Sequence, residues 1–263
     1  MSPALRAAYV EQLRVVHALL MREMLLRFGG NRLGLAYMFS EPFAVVGFII
    51  AMRGIFGGFS PYGIEVIVFV ATGALPFFYF RNCVSKLMAC ASAAKSLMVI
   101  TEVKLLDTYV ARILLESVIY LTMFAAVLAT LHLLEYETAV PDDALRVLFG
   151  MTSAGALGFG IGLCCAAAQT VAPVVKGAIS FILRVLLWIS GVFFSITSVP
   201  MQYRWFLTWN PVFHLMEYIR AAHFAVYDAY DPDGIFYAWE WIAGSTLLGL
   251  VLIRRMRRRL LER

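Results

Sequence analysis

The sequence predicts an all-α integral membrane protein. It should have six transmembrane helices, an N-terminal amphipathic helix at the cytoplasmic interface, and re-entrant outer helices between the fifth and sixth spans. Three observations carry this expectation. The 263-residue chain is 62% hydrophobic and only 15% charged, with a mean hydropathy of +0.80, which is outside the composition of soluble domains. Its apolar residues fall in runs long enough to cross a hydrocarbon core, which takes about 20 residues as helix. Its lysines and arginines flank those runs, as orienting a membrane protein requires, so the net charge of +5 does not point to nucleic acid.

Taken in order, residues 1–263 read as one transmembrane domain. Residues 1–32 form the interface helix. Within them, 8–28 are amphipathic, with Glu11, Arg14, Ala18 and Arg22 on one face and Val10, Leu13, Val16, Leu20 and Met24 on another. No short basic region, apolar stretch and small-residue cleavage site opens the chain, so no cleaved signal peptide is expected. The spans fall near 33–55, 64–82, 108–132, 147–172, 178–199 and 236–253. Each contains or adjoins Gly, Ala or Ser, which lets helices pack closely in lipid. The fourth, "GMTSAGALGFGIGLCCAAA", is richest in them and should be an interior helix.

Cations set the orientation. Arg6, Arg14, Arg22, Arg27 and Arg32 precede the first span, and Arg81, Lys86, Lys95 and Lys104 join spans two and three. Lys176 lies between four and five, and the tail is "RRMRRRLLER". The opposite loops are poor in cations, and "EYETAVPDDA" is acidic, so both termini should be cytoplasmic. The connection 83–107 is longer than a turn requires. The region 200–235 is too apolar for a free loop and too short to cross, and it breaks at Asn210-Pro211. A re-entrant or interface-lying hairpin fits it.

"RFGGNRLGLAYMFSEP", residues 27–42, stands apart. Gly29-Gly30 can stop the interface helix, and Asn31 can cap the first span. A helix start beside Arg27 and Arg32 suits an anion, although the two arginines could equally hold bilayer headgroups. Glu41, about 12 Å along the axis from residue 33, is a carboxylate that should face protein or water. Pro42 kinks the helix.

Other chemistry is sparse. The chain contains no Gly-rich phosphate loop ending in Lys-Ser/Thr. His17, His132, His214 and His223 lack zinc spacing, and Cys83, Cys90, Cys164 and Cys165 suggest neither a metal site nor a disulfide. No catalytic residue, metal ligand or bound cofactor is therefore expected. His214 with Glu217 reads as a polar face, and Arg112 with Glu116 as an i,i+4 pair.

"LMREMLLRFGGNRLGLAYMFSEPF", "SLMVITEVKLLDTYVAR" (96–112) and "WNPVFHLMEYIR" (209–220) together resemble, in the right order, the type 2 ABC-transporter permeases of the polysaccharide-export class, the capsule and O-antigen exporters. The family's Val-Lys-Pro is here Val103-Lys104-Leu105. The resemblance implies the membrane subunit of an ATP-driven exporter in the bacterial inner membrane, moving lipid-linked capsular polysaccharide outward. Two copies would form the conduit at their interface. Two separate ATPase chains would bind ATP and Mg, and periplasmic and outer-membrane export proteins would lie beyond.

The resemblance also distributes roles. Arg27, Arg32, Glu41, Arg81 and Arg184 would bind the lipid head. Tyr37, Phe39, Phe43, Phe77, Phe78, Phe80, Trp188, Phe193 and Phe194 would line the conduit, where aromatic faces can stack on sugar rings; an interfacial aromatic belt is the plainer account. Lys95, Glu102, Lys104 and Asp107 would couple to the ATPase. Trp205, Trp209, His214, Glu217 and Tyr218 would form the outer gate. The alternatives are an O-antigen, glycolipid or drug permease of the same fold, or an integral-membrane enzyme acting on lipid-linked sugars with Glu41, His214 or Glu217 as acid or base.

Overall fold

The structure is a computed structural model that describes residues 3–28, 47, 61–97, 105–231 and 233–261. All regular structure among them is helical. In chain order the helices are α1 (Pro3–Phe28), α2 (Val66–Leu97), α3 (Leu105–Leu133), α4 (Ala144–Val171), α5 (Val175–Ile189), α6 (Met201–Thr208), α7 (Pro211–His223) and α8 (Gly234–Leu261). Short 3-10 turns lie at Pro61–Gly63, Glu137–Ala139 and Ile196–Ser198. The predicted first span, 33–55, lies outside the described residues apart from Gly47. Arg32, Tyr37, Phe39, Glu41, Phe43, Glu102 and Lys104 lie outside them as well.

Among the described residues, four helices are long and apolar enough to cross a membrane: Val66–Cys90, Leu106–Leu133, Ala144–Val171 and Gly234–Arg255. They correspond to the predicted second, third, fourth and sixth spans. The predicted fifth span differs in extent. Its helix begins at Val175 and stops at Ile189, about 22 Å long, well short of residue 199. The chain then turns at Gly191, whose φ of +70° a side chain would resist.

The connection at 83–107 begins as helix. The α2 helix runs on unbroken to Leu97 because Cys83, Val84, Leu87, Met88 and Cys90 continue its buried face. Asp107 lies in the first turn of α3, where a carboxylate suits the helix dipole.

The α4 helix is the hub, packed most extensively against α2 and α8. Its small residues are the reason. A Cβ on Gly155 would overlap the Tyr79 ring. One on Gly158 would lie 2.7 Å from Cys83 Cβ, and one on Gly162 would lie 2.6 Å from Leu87 Cδ1. On its other side Gly160 meets Ser245 and Thr246, and Gly249 of α8 returns the contact onto Leu163. Backbones this close gain dispersion contacts that larger side chains would forfeit, and lipid supplies no hydrophobic drive between spans to replace them. The interior position expected for the fourth span is the one observed.

Two hydrogen bonds and a ring stack join α2 to α3. Tyr79 Oη donates to Ser117 Oγ, Asn82 Nδ2 donates to Tyr120 Oη, and the Tyr79 and Tyr120 rings stack at 5.5 Å. The α1 helix rests on α3 through two polar contacts: Glu23 pairs with Arg112 at 2.6 Å, and Gln12 donates to Asp107. Spacing offers Glu116 as a partner of Arg112; the structure adds Glu23, from another element. On α1, Glu11, Arg14, Ala18 and Arg22 are exposed as expected, but so is Met24, while Leu19 and Glu23 are buried.

Candidate functional site

The segment after α5 builds the most concentrated group of buried polar side chains among the described residues. Asn210 starts it. Its side-chain oxygen accepts the Val212 N–H at 3.0 Å, capping α7, while its Nδ2 donates to Ser190 Oγ at 2.9 Å. Pro211 fits the first helical position, where no donor is needed. The helix ends where the Asp142 and Asp143 amides bind the His223 and Ala222 carbonyls, and Asp142 accepts the Ala225 amide in return. Both ends of α7 are therefore tied to other elements.

Arg220 is the centre of this group, and none of it is exposed. Its Nη2 donates to the Val192 carbonyl at 2.7 Å and to the Phe69 carbonyl at 3.2 Å. Its Nη1 donates to the Gly191 and Phe194 carbonyls. The guanidinium lies 3.7 Å from the centroid of the Phe69 ring, near enough for a cation–π contact. A Cβ on Gly73 would overlap this group, so glycine there makes room for it. One side chain thus joins α7, the turn after α5 and the first turn of α2. A planar fork can serve several carbonyls together, as a lysine ammonium cannot.

The acids and histidines of α7 are also buried. Glu217 accepts from Tyr227 Oη and, at 3.4 Å, from the Tyr230 amide. Burial raises its pKa from the usual carboxylate value, against the lowering effects of the Tyr227 hydrogen bond and the Arg220 charge. Tyr227 Oη is also 3.3 Å from Ser195 Oγ. His214 Nε2 lies 2.8 Å from the Thr208 carbonyl, and its Nδ1 lies 3.8 Å from Asp231 Oδ2. Gly234 leaves the space its ring fills. His223 Nε2 is 3.0 Å from the Thr138 carbonyl; burial, as the largest influence, lowers its pKa. These groups bond backbone and one another, so the polar face expected from sequence is an interior network.

The α6 helix is the opposite. Leu207 is its single buried residue. Met201, Tyr203, Trp205 and Phe206 are 55–81% exposed, and Trp209, which follows the helix, is 73% exposed. Arg204 Nε bonds the Val199 carbonyl at 2.9 Å and its guanidinium lies over the Tyr230 ring, while Tyr237 Oη donates to the Trp209 carbonyl at 3.1 Å. Tyr218, half-buried on α7, meets Phe149 and the Arg146 guanidinium.

The other sequence-predicted residues are dispersed. Phe77, Phe78 and Phe80 are at most 1% exposed and belong to the helix core, where sequence reading had put them along a conduit. Arg81 is half-buried over the Phe78 ring. Trp188 is 60% exposed on α5 and tilts onto Phe193 at 5.0 Å; Phe194 is half-buried and Arg184 exposed. Arg27 and Lys95 lie in the last turns of α1 and α2. Asp107 is buried against α1. Sequence reasoning missed Arg220, Tyr227, Ser195 and Glu23. A cation among Ile219, Ala221 and Ala222 was the available signal for Arg220, since an arginine in an apolar helix needs a partner.

No family model matches this chain. Curated relatives do. The chain is 32% identical to the capsule polysaccharide export inner-membrane protein BexB of Haemophilus influenzae, over 92% of this chain and 90% of that protein. It is 30% identical to the polysialic acid transport protein KpsM of Escherichia coli, over 95% and 96%. It is 30% identical to the capsule polysaccharide export inner-membrane protein CtrC of Neisseria meningitidis serogroup A, over 81% and 80%.

Proposed function

Because this chain belongs to the family of capsule polysaccharide export inner-membrane proteins, we propose that it is the permease subunit of an ATP-driven exporter that carries lipid-linked capsular polysaccharide across the bacterial inner membrane. The observation that carries this reading is the near full-length match to relatives named for polysaccharide export and transport. The apolar helices of spanning length among the described residues agree with it. The relatives are transport proteins by name, so the reading asks for no covalent chemistry from Glu217 or His214, and both are engaged in internal bonds.

In this reading two copies enclose the conduit, and two ATPase chains bind ATP and Mg below them, with both termini in the cytoplasm. ATPase closure pushes on the 83–107 region through Lys95, Glu102, Lys104 and Asp107. The bond from Gln12 to Asp107 and the Glu23–Arg112 pair join α1 to the start of α3, which supports a push on the interface helix being felt in a span. Arg27, Arg32, Glu41, Arg81 and Arg184 receive the anionic lipid head through charge-assisted contacts. Tyr37, Phe39, Phe43, Trp188, Phe193 and Phe194 offer the glycan aromatic faces, with Phe77, Phe78 and Phe80 backing the wall from the core. The α6–α7 hairpin, with Trp205, Trp209, His214, Glu217 and Tyr218, closes the outer end.

The test is reconstitution. The full chain, purified from a capsule-producing bacterium, should bring down a Walker-motif ATPase. Together they should move a short lipid-linked glycan across proteoliposomes only with ATP and Mg. Turnover of the glycolipid without an ATPase would favour the enzyme alternative. Transport of small drugs but no glycan would favour a drug permease of the same fold.

A further inference from the structure

The two helices of the outer hairpin are held very differently, and Arg220 is the cause. Its guanidinium binds carbonyls from two other segments, the turn at Gly191, Val192 and Phe194 and the first turn of α2 at Phe69. It is fully buried, and Phe69 covers its face. Swinging α7 away from α2 would break these bonds together and leave a buried charge and several buried carbonyls without partners, which makes partial opening there costly. The α6 helix has no such fixture. It buries one side chain, and Pro200 and Trp209-Asn210 bracket it with non-helical or helix-ending backbone.

We propose that Arg220 is a positioning residue of the exporter's outer gate, fixing α7, the turn after α5 and the start of α2 into one static frame so that gate opening is confined to α6. This rests on the export reading above. A substrate emerging past the hairpin would displace the exposed aromatic helix, while α7 stays as the post against which it closes.

The experiment uses the full chain, with its four native cysteines replaced by alanine, in a capsule-producing bacterium that lacks its own permease gene; surface polysaccharide is the readout. Gly150 and Ile219 join α4 to α7 at contact distance: a Cβ on Gly150 would lie 2.5 Å from Ile219 Cγ1. The Gly150→Cys/Ile219→Cys pair removes that crowding and permits a disulfide. Oxidising it should leave export within twofold of the reduced protein. A short bis-maleimide between Arg204→Cys and Tyr230→Cys, whose wild-type side chains meet at 5.9 Å, should pin α6 and lower export at least tenfold.

Arg220→Lys should lower export at least fivefold at equal membrane abundance, because one ammonium cannot replace the fork. The α4–α7 disulfide should then restore most of that loss, and reductant should abolish the rescue. A role for the guanidinium beyond holding α7 in place predicts no rescue by a covalent tether at the adjoining residue. Export stopped by the α4–α7 disulfide, or unaffected by the α6 tether, overturns the proposal. So does an abundant Arg220→Lys protein that exports normally or is not rescued. Both tethers work without any change at Arg220, so a lysine variant lost from the membrane leaves the proposal exposed to refutation. A wild-type chain that restores no surface polysaccharide in that host overturns the export reading, and the gate assignment with it.

Discussion

Helices α6 and α7 are neighbours in sequence, separated by Trp209 and Asn210, and both are rich in apolar and aromatic residues. Met201, Trp205, Phe206 and Trp209 face outward, whereas every residue of α7 from Val212 to Glu217 is buried. The burial runs against polarity. α7 carries His214, Glu217, Arg220 and His223, while α6 carries one charged residue, Arg204, and leaves its aromatics outside. The difference teaches that side-chain hydrophobicity does not decide which of two adjacent helices is interior here. Available partners decide it: carbonyls from the turn after α5, the Tyr227 hydroxyl and the Thr138 and Thr208 backbone bind the charged and polar side chains of α7 inside the core, leaving Arg220 Nε and His223 Nδ1 as the atoms without a hydrogen bond among them.

The largest effect that sharpens this contrast comes from Arg220→Met. It removes the fork and strands buried carbonyls, so it should cost about 3 kcal/mol or more. Thermal unfolding in detergent checks this, and an unchanged midpoint would mean that the buried bonds contribute little to α7. Next is Gly73→Ala. Its new methyl presses on the guanidinium and lies 3.0 Å from the Val192 carbonyl, so it should cost about 1–3 kcal/mol by overpacking. The same melt, run together with Arg220→Met, should show less than additive loss, because both changes act on one contact.

Asn210→Ala should cost about 1 kcal/mol, the usual value of a helix N-cap, with a further loss from the Ser190 bond. Trp205→Ala on the exposed helix should change stability by under about 0.5 kcal/mol. A melt of that variant resembling Arg220→Met would break the comparison by showing α6 to be as fixed as α7. The smallest effect concerns pH. The folded pKa of Glu217 is raised above its usual 4.5, so the folded state binds its proton more tightly. Its contribution is fullest at acid pH and is lost as pH rises from about that value through the folded pKa. Glu217→Gln should flatten that slope in melts taken across pH 4–8; an unchanged slope would assign the pH dependence elsewhere.

Much of this molecule was legible along the chain because the bilayer imposes a length. Runs of apolar residues bounded by cations marked α2, α3, α4 and α8 before any packing was known, and the small residues of "GMTSAGALGFGIGLCCAAA" marked α4 as interior, since only close backbone approach rewards them. The break at Asn210-Pro211 was legible from capping and proline chemistry, which is local.

Three features were not legible. The α5 helix stops at Ile189 because Gly191 turns the chain and Arg220, nearly thirty positions on, receives the freed carbonyls. The α2 helix runs on past residue 83 because α4 offers its glycines to Cys83 and Leu87. Arg112 pairs with Glu23 rather than within its own helix face alone. Composition and periodicity determined that the chain spans a membrane as helices and roughly where. Which polar residues are buried, and which of two apolar helices stays outside, was decided only by tertiary structure, because a buried charge is tolerated only where distant segments bring it donors and acceptors.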